Sequence, residues 1–94
     1  MRVRFSKLAL AELDAILADI RADNPGAAAH LRERVGRVVG RIAQFPDGAQ
    51  QVDTRPGIRR VPLVRYPYVI YYTIIEGDVM ILRFLRGARR SPWE

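Results

Sequence analysis

The side chains best equipped for chemistry in this chain are arginines. Arg55, Arg59, Arg60, Arg65, Arg83, Arg86, Arg89 and Arg90 fall in one stretch that contains only two acids, Glu76 and Asp78. A guanidinium is planar, permanently charged and rich in donors, so a group of them suits phosphate or carboxylate binding. That permanence excludes proton transfer: with a pKa above about 12, arginine is no general base near neutral pH. Other reactive groups are scarce. The chain has no cysteine and a single histidine, His30. It therefore has no cysteine nucleophile, disulfide framework or multi-histidine metal centre, and few routes to a Ser-His-Asp triad. Tyr66, Tyr68, Tyr71 and Tyr72 are phenols with an ordinary pKa of about 10. Tyr71 and Tyr72 lie in an apolar run and are expected in the core. Tyr66 and Tyr68 stand beside a turn, where packing and partner contact are both open. No catalytic residue, metal ligand or cofactor is assigned.

A short series of elements must position these groups. Arg2 to Phe5 alternates polar and apolar residues and predicts a strand. Ser6 is a helix N-cap. The helix after it runs from about Lys7 to Ala22, with Leu10, Leu13, Leu17 and Ile20 on one face and Glu12, Asp14 and Asp19 facing water. Asn24 caps a second helix, and Pro25 suits its first position because the missing N–H costs nothing there. This helix runs to about Phe45. Ala28, Leu31, Val35, Val38, Ile42 and Phe45 form its inward stripe, and Arg34, Arg37 and Arg41 a basic stripe beside it. Gly36 and Gly40 predict a tight internal packing spot. Two helices joined by so short a turn form an antiparallel hairpin.

Residues 46–57 carry two prolines and two glycines and predict a loop. Three strands follow. Pro62 marks Ile58–Leu63 as an edge strand or a bulged one. Tyr68–Ile75 is apolar on both faces, as a central strand should be. Val79–Leu85 follows a turn at Glu76-Gly77-Asp78. Strict alternation there places Val79, Ile81, Arg83 and Leu85 on one face and Met80, Leu82, Phe84 and Arg86 on the other. Residues from Gly87 onward form a basic tail. The order β-α-α-β-β-β belongs to the α+β class: a helical hairpin on one face of a small antiparallel sheet, the other face at least partly open.

Residues 1–94 are read as a single domain, too small for a deep enclosed pocket, so the site should lie on an open face. The net charge is +6, and fifteen of the sixteen basic residues are arginine. Such a balance favours an anionic partner, either nucleic acid or an acidic protein segment. The start, Met1-Arg-Val-Arg-Phe, lacks the apolar run of a signal peptide. The longest apolar stretch, Val69 to Ile75, falls far below the roughly 18 residues of a membrane span. A cytoplasmic location without membrane contact is expected.

The words RRVPLVRYPYVIYY (59–72) and ILRFLRGAR (81–89), in this element order, resemble the ParE/RelE toxin superfamily, and most closely its ParE-like branch of plasmid-stabilisation toxins. The resemblance covers nearly the whole chain. It implies the toxin of a type II toxin–antitoxin system, held in a hetero-oligomer by a ParD-like antitoxin. It also implies DNA gyrase as the target, blocked so that replication stops. The RelE branch instead cuts messenger RNA in the ribosome, using basic side chains on the sheet and an aromatic or histidine near the C-terminus. Where many ParE-like chains read LHGAR, this one has Leu85-Arg86-Gly87-Ala88-Arg89, and Trp93 is the nearest terminal aromatic. With cations plentiful and proton-transfer groups wanting, the expectation is an inhibitor that binds and not an enzyme. The alternatives are a ribosome-dependent endoribonuclease and a non-catalytic nucleic-acid-binding module. Candidate target-binding residues are Arg59, Arg60, Arg65, Tyr66, Arg83, Arg86, Arg89, Arg90 and Trp93. Candidate antitoxin-binding residues are Arg34, Arg37 and Arg41.

Overall fold

Ser6 opens the first helix: its hydroxyl accepts the Ala9 N–H at 2.9 Å and donates to the Leu82 carbonyl at 3.0 Å, so the cap also ties helix to sheet. Asn24 plays the same part for the second helix through the Ala27 N–H at 3.0 Å. The computed structural model describes residues 1–87. Its elements are β1 (Val3–Phe5), α1 (Lys7–Asp23), α2 (Pro25–Gln44), β2 (Gln50–Val52), β3 (Arg55–Pro62), β4 (Tyr68–Ile75) and β5 (Asp78–Arg86). The strands form one sheet in the order β1-β5-β4-β3-β2, with β1 parallel to β5 and the other pairs antiparallel. The class is α+β with β4 at the centre, as the apolar pattern indicates.

The main core joins helices to sheet: Ala9 and Leu17 of α1 and Ala28, Leu31, Val35 and Ile42 of α2 meet Leu63, Ile70, Tyr72, Val79, Ile81 and Phe84. Because side chains alternate along β4, Val69 and Tyr71 point the other way, where they are buried with Val52. The face away from the helices is thus not bare: an apolar cluster occupies it.

Several expectations change. The stretch 46–57 contains β2, paired with β3 through Gln50–Arg60 and Gln51–Arg59. Three residues, two of them glutamine, carry no periodic signal, and the pairing is made by the tertiary fold. It also makes β2 the sheet edge in place of β3; Pro62 lies beyond the pair Gln50–Arg60, where its missing donor costs nothing. On α1 the inward stripe is rotated: Ala9 is fully buried, Leu10 is exposed, and Glu12 is half-buried. Phe45 caps α2 and is 57% exposed, outside the core. Gly36 and Gly40 are open, since a Cβ at either would meet nothing within 4 Å, so they mark no packing spot. Finally, Tyr71 pairs with Arg83 and Tyr72 with Ile81, leaving Leu82 as an extra residue on β5. This bulge reverses the alternation, which is how Phe84 joins Val79 and Ile81 in the helix-side core.

Candidate functional site

The three long strands set a row of side chains across the sheet face turned away from the helices, for Arg60 pairs with Tyr71 and Tyr71 with Arg83. Its two cations differ in circumstance. Arg83 is engaged: Nε and Nη2 donate to the Glu12 carboxylate at 2.9, 3.1 and 2.7 Å, and the Phe84 N–H adds a bond to the same carboxylate at 3.1 Å. β1 ends at Phe5, opposite Ile81, so the following part of β5 has no neighbouring strand on that side, and Glu12 supplies the acceptor that a strand would. These hydrogen bonds raise the Arg83 pKa further above its ordinary value, so its charge is permanent and locally neutralised. Arg60 has no ion pair among the described residues and is half-buried.

Arg59 alternates to the helix side, opposite Tyr72. Its Nη1 donates to the carbonyls of Asp47 at 3.0 Å and Ala49 at 2.6 Å, with the Asp47 carboxylate 3.6 Å from Nη2. Arg59 therefore fastens the α2–β2 connection and is only 18% exposed at its side chain. The Tyr72 hydroxyl donates to the Pro46 carbonyl at 2.6 Å. Burial pushes its pKa up, against the opposing pull of the Arg59 guanidinium. A phenol so held keeps its proton near neutral pH. Tyr71 and Tyr72 are both fully buried, in keeping with the packing read from their strand.

Arg65 and Arg86 lie at the same end of the sheet. Arg65 sits in the β3–β4 turn with φ of 75°, and Arg86 pairs with Tyr68 just past that turn. Both are exposed, and neither has an ion pair among the described residues. Arg89, Arg90 and Trp93 lie outside the described residues.

A second set forms along α2. Arg34 and Arg37 line a shallow hollow of about 170 Å³ with His30, Glu33 and Tyr66, and Arg37 is paired with Glu33. The structure thus brings Tyr66 to the basic stripe of α2 instead of to Arg65's side of the surface, and it brings His30 to both. Arg41 borders a larger groove of about 390 Å³ lined also by Val38, Ile42, Phe45, Gly48, Ala49, Val61 and Tyr72. The Arg41 guanidinium lies 6.0 Å from the centre of the Phe45 ring, a cation–π contact at the mouth of the groove.

The sequence reading missed Glu12 and Phe45. A signal for Glu12 existed: centring the α1 stripe on Ala9, Leu13, Ile16 and Ile20 places Glu12 at its border. Phe45 follows the helical spacing, but α2 ends at Gln44, so the ring leaves the inward face.

The exposed cations can bind anions. Among the described residues no group of three or more His, Asp or Glu is placed to hold a metal ion, and no helix is long and apolar enough to cross a membrane. Comparison with known proteins agrees with the topology. A Sinorhizobium fredii (strain NBRC 101917 / NGR234) protein named "Putative toxin Y4kP" is 36% identical over 95 residues, covering 97% of this chain and 93% of that one. A solved structure titled "Chromosomal ParDE TA system from P. aeruginosa" superimposes with a TM-score of 0.81 at 26% identity, covering 94% of this chain and 97% of that one. The family model for the ParE toxin of the type II toxin–antitoxin system parDE matches residues 3–91. By its sequence words, its hairpin-on-sheet fold and these likenesses, the chain belongs to the ParE toxin family of type II toxin–antitoxin systems.

Proposed function

We propose that this ParE-type toxin acts by binding and not by catalysis, that its target is DNA gyrase, and that a ParD-like antitoxin neutralises it in the cytoplasm. The observation that supports binding is the exposed cationic end of the sheet. Arg65 and Arg86 stand there with Arg60 nearby, and none has an acidic partner among the described residues. Guanidiniums in that state hold carboxylates or phosphates strongly and transfer no proton. Of the phenols on β4, Tyr71 and Tyr72 are fully buried, and Tyr68, which pairs with Arg86, is half-buried. Gyrase and the antitoxin come from the family resemblance. The test is a supercoiling and DNA-cleavage assay with purified gyrase. The expected result is loss of supercoiling with accumulation of cleaved DNA; unchanged supercoiling and cleavage would overturn the reading.

One observation favours a second reading, an endoribonuclease of the RelE type. His30 and Tyr66 share the α2 hollow with Arg34 and Arg37, and an imidazole, a phenol and cations are what activation of a 2′-hydroxyl requires. Cleavage of messenger RNA in programmed ribosomes, lost in His30→Ala and Tyr66→Phe, would establish it in place of gyrase binding.

A further inference from the structure

The sheet carries opposite charges at its two ends. β4 runs from Tyr68, beside the β3–β4 turn, to Ile75, beside the β4–β5 turn, a span of about 24 Å. Glu76 and Asp78 lie at the far end, where Asp53 joins them in the turn from β2 to β3. Arg65 and Arg86 lie at the near end. Tyr66, which follows Arg65, lines the hollow of Arg34 and so brings a third cation to that end. Screening limits the reach of an exposed charge to about 8 Å at physiological salt, so the distant acids do not offset these cations. Within the hollow, Glu33 is taken by Arg37, and Arg34 has no ion pair among the described residues.

We infer that this cationic end binds the phosphate backbone of duplex DNA, so that the toxin engages gyrase together with the DNA that gyrase holds. The choice of DNA rests on the proposed gyrase target, and the inference goes beyond it by giving the toxin a nucleic-acid contact of its own. Composition supplies the first argument. A protein interface is centred on apolar anchors, whereas a backbone interface is polar and strongly positive. Of the large apolar side chains exposed among the described residues, only Val64 stands in the β3–β4 turn, while Ile74 and Ile75 lie at the acidic end. Backbone conformation supplies the second argument. Arg65 has φ of 75°, a left-handed conformation that glycine adopts without strain and arginine does not. The turn is fixed around it: the Tyr66 N–H donates to the Leu63 carbonyl, and the Leu63 N–H to the Tyr68 carbonyl, both at 2.9 Å. Strain held in this way points to a use for the side chain, and here the side chain is an exposed guanidinium. Contacts to the backbone carry no sequence information, so binding is independent of base sequence.

The experiment follows the fluorescence anisotropy of a labelled DNA duplex of mixed sequence, titrated with the purified full-length toxin at several salt concentrations. Three cations on phosphates predict a slope of log affinity against log salt of about −2.7, or about fortyfold weaker binding at about 200 mM than at about 50 mM salt. Arg34→Ala, Arg65→Gly and Arg86→Ala should each reduce the steepness by about 1. Arg65→Gly also relieves the strain, so its melting temperature should equal or exceed the parent's while its binding falls; a structural role alone would not separate the two. Arg55→Ala, the same loss of charge at the acidic end, should leave the slope unchanged. Polyglutamate of equal total charge is less densely charged and should bind at least about tenfold more weakly. A slope near zero, an equal effect of Arg55→Ala, or polyglutamate binding as tight as that of DNA would show the assignment to be wrong. Gyrase inhibition by a toxin that does not bind DNA would overturn this inference alone. DNA binding with no effect on gyrase would overturn the gyrase target and leave the DNA site standing.

Discussion

Glu12 accepts hydrogen bonds from Arg83 and from the Phe84 N–H, and thereby closes the part of β5 that β1 leaves unpaired. Both side chains remain partly accessible, at 27% for Arg83 and 17% for Glu12, so their separation costs less than that of a fully buried pair. Glu12→Ala should lower stability by about 2 kcal/mol in urea unfolding. A double-mutant cycle with Arg83→Ala should show coupling of about 1 kcal/mol or more, whereas strict additivity would mean that the two groups act independently. Tyr72 makes a prediction in pH. Its ordinary pKa of 10.0 is raised in the folded protein by burial. The unfolded chain then releases its proton first, and stability present below pH 10 is lost as pH rises toward the folded pKa. Tyr72→Phe should cost about 1 kcal/mol at neutral pH through loss of the Pro46 bond. Its melting temperature should also fall less steeply above pH 10 than that of the parent. Parallel decline in the two proteins would refute the assignment.

At the scale of elements, glycines of one chain should respond in opposite directions. Glu76 and Gly77 form the two-residue turn between β4 and β5 with φ of 51° and 79°. Positive φ at both positions matches the twist of a hairpin and strains any side chain at the second. Gly77→Ala is expected to destabilise by about 1 kcal/mol. Gly36→Ala and Gly40→Ala meet no atom within 4 Å and lie inside α2. Each should stabilise by about 0.5–1 kcal/mol in thermal unfolding, because alanine gives up less backbone freedom than glycine in a helix. A loss at either would show that the sites are crowded after all.

The legible elements were those with a strong period or a defined punctuation mark. Ser6, Asn24 and the α2 stripe located both helices, and the two-sided apolar run of Tyr68–Ile75 placed the central strand. What escaped depends on distant neighbours. β2 has no pattern of its own and exists because β3 offers it an edge. The bulge at Leu82 shifts which residues of β5 face the helices, and alternation cannot reveal an extra residue. Of the candidate cations among the described residues, Arg65 and Arg86 are exposed and Arg60 half-buried, all without an ion pair there, while Arg59 and Arg83 turn inward to Asp47, Ala49 and Glu12. That division was invisible in a sequence where the arginines look alike.

The molecule as a whole carries +6, and among the described residues the exposed cations without an ion pair include Arg65 and Arg86 at the turn end of the sheet and Arg41 on α2. Separate cationic surfaces suit separate acidic or phosphate-bearing partners, which under the proposed function are the target and the antitoxin. Their roles should separate by mutation: Arg60→Ala, Arg65→Ala and Arg86→Ala combined should weaken gyrase inhibition about tenfold or more and leave co-purification with the antitoxin intact. The most direct test of inhibition by binding is a titration of gyrase supercoiling against purified toxin. Activity should fall in proportion to toxin added and vanish near one toxin per gyrase subunit. Inhibition that persists far below that ratio, or supercoiling that survives an excess of toxin, would contradict it.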